Sequence, residues 1–117
     1  MDKVYKKYYT VSMPIDGVEW DSEKSLANFQ KHHVSFDDAQ YVFADINRLE
    51  RRDTSESNTA TEERYQTLGM VGKILFVVYT ERAVTKRIIT ARVATKKERR
   101  VYNGYYQIDN TSWAKAT

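Results

Sequence analysis

The chain has 117 residues, 41% hydrophobic and 30% charged, with a net charge of +3 and no cysteine. A chain of this length forms one modest core, and this composition excludes both a disordered polyelectrolyte and a membrane protein. The lack of cysteine excludes a disulfide framework and thiolate metal clusters, and it fits a reducing cytoplasm.

Residues 1–13 are basic and rich in tyrosine without a helical or strand period, so they read as an N-terminal extension. The stretch Tyr5 to Ile15 lacks the apolar core of a signal peptide, so cytoplasmic residence is expected. Glu19-Trp20-Asp21 predicts a short edge strand running into a helix, with Asp21 or Ser22 as its cap. Leu26, Phe29 and the Gln30-to-His33 turn fall along one stripe of that helix. Ser35-Phe-Asp-Asp38 has capping-box form, and Ala39, Val42 and Phe43 follow at helical spacing, which predicts a second, short helix.

Arg48 to Asp53 predicts a strand, and the polar run Thr54 to Thr61 a loop. Three further strands follow: Glu63 to Leu68, a turn at Gly69 to Gly72, Lys73 to Glu81, and Arg87 to Ala94. Short connections between them predict an antiparallel meander, with the continuous apolar run Ile74 to Val78 at its centre. Thr95-Lys-Lys-Glu98 is a second capping box and opens a last helix that presents Val101, Tyr102 and Tyr105 inward. Past Asn110 the chain is expected to fray. The predicted order is β-α-α-β-β-β-β-α, an α+β fold with one antiparallel sheet of four to five strands. The division is a 1–13 extension, a 14–109 domain and a 110–117 tail.

Charge is unevenly spread. Residues 86–100 hold seven Lys and Arg against the single Glu98, so a strongly basic segment sits on an otherwise net-negative chain. Such a surface focuses potential toward a nucleic acid or an acidic protein. His32 and His33 are adjacent and point about 100° apart on a helix, so they do not form an i, i+4 metal pair and no metal site is expected. No phosphate-binding glycine loop, dinucleotide fingerprint or nucleophile elbow is present. Alternation places Arg64 with Gln66, Thr80 with Arg82, and Thr90 with Arg92, each pair on one sheet face. Several guanidiniums on one face would suit phosphate oxygens, whereas pairing with Glu63 or Glu81 would make them structural. For His32, a helix-end hydrogen bond and a general acid–base role both fit.

Taken in order, Glu19-Trp-Asp21, Lys31-His32, Val34-Ser-Phe-Asp-Asp38, Val42-Phe43, Glu62-Glu-Arg-Tyr65, Val78-Tyr-Thr-Glu-Arg82, Arg87-Ile-Ile-Thr-Ala-Arg92 and Ala94-Thr-Lys-Lys-Glu-Arg99 resemble the BrnT-type toxins. The resemblance spans roughly residues 18 to 102. It implies a RelE-like fold and a ribonuclease toxin of a bacterial type II toxin–antitoxin system that inhibits translation and growth. It implies a BrnA-type antitoxin partner that binds operator DNA, assembly as a homodimer or a heterotetramer with that antitoxin, and no cofactor. The family's recurrent polar positions fall on His32, Arg64, Glu81, Arg82, Arg87 and Arg92. Departures are His33 for glycine, Thr90 for serine and Val93 for lysine.

On this basis Arg64, Arg82 and Arg92 are expected to stabilise phosphate, with His32 or Glu81 as the proton-transfer group. Arg87, Lys96, Lys97 and Arg99 are expected to hold the RNA backbone. A non-catalytic module that binds nucleic acid or an acidic protein, or an inactive toxin descendant, is the alternative.

Overall fold

A computed structural model describes residues 17–55, 62–104 and 111–116. The N-terminal extension, most of the polar loop 54–61 and Tyr105 lie outside the described residues. Strand β1 (Val18–Glu19) leads into helix α1 (Ser22–His32), then α2 (Phe36–Ala39), which continues as a 3₁₀ turn, Gln40–Ala44. Strands β2 (Leu49–Arg52), β3 (Arg64–Val71), β4 (Lys73–Arg82) and β5 (Thr85–Val93) follow, then α3 (Lys96–Tyr102) and β6 (Ala114–Lys115).

The expected caps are in place. The Asp21 carboxylate accepts from the Glu23 and Lys24 N–H groups, and Ser35 Oγ accepts from the Asp38 N–H. Thr95 and Glu98 cap each other reciprocally. Each cap satisfies first-turn donors that would otherwise be orphaned.

The sheet is larger than expected and mixed. Its order is β1-β5-β4-β3-β2-β6. β1 runs parallel to β5, held by the Lys86 N–H to Gly17 carbonyl bond and by the burial of Val18 and Trp20. At the other edge β6 pairs antiparallel with β2. The chain past Asn110 therefore returns to the sheet instead of fraying, because Trp113 is 4% exposed and packs edge-on against Phe76. β4 is central, as its apolar run predicts, and is buried from Ile74 to Thr80.

Two cores flank the sheet. On one face Leu75, Val77, Ile88 and Ala91 pack with Trp20, Val34, Phe36, Ala39 and Val42. On the other, Leu49, Leu68, Ile74, Phe76 and Val78 pack with Ala94, Val101 and Trp113. Helix α1 departs from the expected apolar stripe: Leu26 and Phe29 are exposed, and its buried residue is Asn28. The Asn28 amide donates to the Val34 and Ala91 carbonyls and accepts from the Ala91 N–H. It thereby pairs with the β5 edge as a neighbouring peptide group would.

β3 extends through Gly69 to Val71, so the turn contracts to Gly72, whose φ of 69° glycine adopts at no steric cost. Gly69 is needed for another reason: a Cβ there would lie 2.8 Å from Val42 Cβ. The 3₁₀ turn packs directly on the strand backbone at this point. Gly69→Ala is expected to cost about 1–3 kcal/mol through overpacking, read as a lower urea midpoint with an unchanged slope.

Candidate active site on the second sheet face

Register, more than sequence proximity, builds the site. Glu19 lies opposite Arg87, Arg87 opposite Thr80, and Thr80 opposite Arg64, so four strands contribute one transverse row. Residues directly opposite share a face, and so do residues two apart on a strand. Arg82, two beyond Thr80, therefore joins this row. Gln66, two beyond Arg64, joins with Arg51, its partner on β2. This is the face of the Phe76–Trp113 core. Its hydrophobic half lies under α3, and its other half carries Arg51, Arg64, Arg82 and Arg87.

Arg64 and Arg82 converge. Arg64 Nη2 lies 3.3 Å from Glu62 Oε2, and Arg82 Nη2 lies 3.2 Å from Glu62 Oε1. One carboxylate thus receives a guanidinium on each oxygen, from two different strands. Arg82 is half-exposed and Arg64 more enclosed. Thr80, in register between Arg64 and Arg87, is 1% exposed, and its hydroxyl has no hydrogen-bond partner among the described residues.

The other expected site residues are dispersed. Arg87 Nη1 pairs with Glu19 at 3.1 Å. Arg92 lies opposite Phe76, stacks its guanidinium 3.9 Å over that ring, and grips Glu98 through two bonds of 2.8 and 3.0 Å. Glu81 points to the opposite face, 3.7 Å from Lys86 Nζ, because it alternates with Thr80 and Arg82. His32 closes α1, and the neighbouring His33 lines a concavity with Gly72, Lys73 and Val93. That concavity lies at the start of β4 and Arg82 at its end, roughly 30 Å away along ten residues of strand. Lys96, Lys97 and Arg99 project from α3; Lys96 and Lys97 are exposed, and Arg99 donates to the Ala94 carbonyl. Thr90 does not accompany Arg92: a bulge between Val78 and Tyr79 breaks the alternation, and the Thr90 hydroxyl donates to Asn28.

Two tyrosines are held by carboxylates. Tyr79 is buried and donates to Glu50, and burial with the nearby Glu50 charge pushes its hydroxyl far above the ordinary range. Tyr102 donates to Asp45, and burial together with that bond pushes its hydroxyl up to about 12.

The Arg92–Glu98 clamp makes the junction of β5 and α3 sensitive to acid. Burial alone would raise the Glu98 carboxyl, but bonds from Arg92 and the Thr95 N–H, with the Arg92 charge, hold it below its usual 4.5. A depressed carboxyl stabilises the fold at pH values above the unfolded-state value and loses that contribution as pH falls through the folded-state value. Glu98→Gln is expected to lower stability at pH 7 by about 1.5–3 kcal/mol and to flatten the acid limb below pH 4.5. Denaturation across a pH series reads both effects.

An α+β sheet with two guanidiniums meeting on one anion, beside a basic helix, has the chemistry of a phosphate-gripping protein. The family described as the ribonuclease toxin BrnT of type II toxin–antitoxin systems matches residues 20–98, and the chain belongs to that family. The family is defined by a toxin with an antitoxin counterpart. No curated protein matches the chain. Among the described residues, no helix is long and apolar enough to cross a membrane.

The sequence reading missed Glu62 as a member of this site, and Arg51 as well. The signal for Glu62 was its position two residues before Arg64, which places it on the same side of an extended chain.

Proposed function

We propose that this chain is a growth-inhibiting endoribonuclease that cleaves RNA without a metal ion, arrests translation in the cytoplasm and is neutralised by a BrnA-type antitoxin. In this reading the assembled toxin–antitoxin complex, possessing the antitoxin's DNA-binding surface, engages operator DNA. The observation that carries the proposal is the convergence of Arg64 and Arg82 on the two oxygens of Glu62. Two forked cations set around one small anion have the disposition that a phosphodiester's non-bridging oxygens require.

The carboxylate then stands where substrate phosphate binds. A phosphodiester that displaces it leaves Glu62 beside the ribose. The 2′-hydroxyl gives its proton to Glu62, the 2′-oxygen attacks phosphorus, and the 5′-oxygen leaves and takes up a proton from water, which yields a 2′,3′-cyclic phosphate; Glu62 then returns its proton to solvent. Arg64 and Arg82 balance the charge that builds on the phosphorane, a task that a metal ion performs in other nucleases. Proton transfer contributes about 10²–10⁴ in rate. Glu62 takes this role in place of His32 and Glu81 because both lie away from the arginine pair. Arg87 and Arg92, each neutralised by its own carboxylate, orient the neighbouring strands, while Lys96, Lys97 and Arg99 attract the RNA backbone.

The ion pairing of Arg87 and Arg92 favours a second reading, a binding module without turnover. Incubation of total RNA with purified protein and a chelator separates the two. Degradation by the wild type, lost in Glu62→Gln and Arg82→Ala, supports the enzyme; salt-sensitive binding with no degradation supports the module.

A further inference from the structure

Arg51 differs from the other strand arginines. Arg52 pairs with Glu63, Arg64 and Arg82 with Glu62, Arg87 with Glu19, and Arg92 with Glu98. Arg51 has no carboxylate within ion-pair distance among the described residues. Neutral groups hold it instead: Nε donates to Gln66 Oε1 at 2.7 Å, Nη1 donates to Ser112 Oγ at 2.7 Å, and the guanidinium lies 4.3 Å over the Trp113 ring. Nη2 has no partner among the described residues. Burial lowers its pKa, against the more distant charges of Glu98 and Asp53. A partly desolvated cation fixed in place but left un-neutralised costs stability, and an external anion would offset that cost.

The surroundings have room for such an anion. A cavity of about 480 Å³ is lined by Arg51, Lys97, Thr95, Thr111 and Ser112, by Glu98, whose carboxylate is paired with Arg92, and by the apolar Val101 and Trp113. A smaller one, of about 160 Å³, lies between Arg51, Arg52, Thr54, Gln66 and Ser112. Arg51 lines both. It stands opposite Gln66, and Gln66 is two residues from Arg64. Diagonal neighbours of this kind have Cα atoms about 7–8 Å apart, a span that one nucleotide of a single strand bridges.

From this geometry we infer that the Arg51–Lys97 cavity is an RNA subsite, binding the phosphate and ribose of the nucleotide next to the one gripped by Arg64 and Arg82. This rests on the ribonuclease reading. Arg51 grips the phosphate through Nη2, Lys97 closes the rim as a mobile charge, and the Thr95, Thr111 and Ser112 hydroxyls line the space for the sugar. Trp113 is too buried to stack on a base, so the subsite recognises the backbone and not the base sequence.

The test uses a short 2′-O-methyl oligoribonucleotide, which has no free 2′-hydroxyl and is not cleaved. Its affinity for the full-length protein is measured across a salt series. Arg51→Gln and Lys97→Gln are each expected to weaken binding about tenfold or less, and to reduce the slope of log affinity against log salt by about 0.7, the value for one phosphate of a single strand. Lys97 is exposed, so its variant reports binding even if Arg51→Gln loosens the Trp113 contact. Slopes unchanged in both variants overturn the subsite, whatever the protein cleaves. Slopes reduced in both, in a protein that cleaves no RNA, retain the subsite and defeat the catalytic reading alone.

Discussion

Arg82→Ala is expected to cleave RNA about 10²–10³-fold more slowly than the wild type, the usual effect of removing one donor from a site of developing charge. The loss belongs in kcat, because the arginine meets more negative charge on the phosphorane than on the ground-state diester. Stability should change by no more than about 0.5 kcal/mol, since Arg82 is half-exposed and its ion pair is a surface one. Arg64 is more enclosed and lies beside the buried Thr80, so its alanine variant is expected to lose both activity and some stability. Arg82 is therefore the cleaner probe. Single-turnover cleavage of a labelled RNA, with thermal denaturation of the same samples, measures both quantities.

Trp113→Ala is expected to cost about 3–5 kcal/mol, the range for emptying a buried aromatic site. The indole is buried against Phe76 and lies beneath the Arg51 guanidinium. It anchors β6 to the β2 edge, so its loss also frees the Ala114–Lys115 pairing. For a domain of about this size each kcal/mol shifts Tm by roughly 4 °C, so a fall of about 12–20 °C is expected. A frayed tail would predict almost no change. A chain ending before Thr111 should behave like Trp113→Ala.

The parts of the fold set by local rules were legible in the sequence. The caps at Asp21, Ser35 and Thr95 depend on a few adjacent residues, and the run Ile74 to Val78 identifies a strand covered on both faces. Alternation alone placed Thr80 and Arg82 together; the same rule sets Glu81, which was expected to transfer a proton beside the arginines, on the other face, where it meets Lys86. What escaped depends on long-range partners. Asn28 anchors α1 through polar bonds to β5, sixty-three positions away, and no apolar period signals that. Thr90 turns from Arg92 because of a bulge that carries no glycine or proline marker. Trp113 looks like a stray aromatic in a polar tail until Phe76 and Arg51 are brought to it. Glu62 stands within an acidic pair, and only the register of β3 against β4 shows that it answers two arginines.

The most direct test of the account is a double-mutant cycle on RNA cleavage with Arg64→Ala, Arg82→Ala and the double variant. If both guanidiniums grip one phosphate, the double variant should lose little more than the worse single variant, so that the coupling approaches the smaller single loss, about 2.7–4 kcal/mol. Losses that multiply in full would show two arginines acting at independent places, and would contradict the shared grip on which the catalytic reading stands.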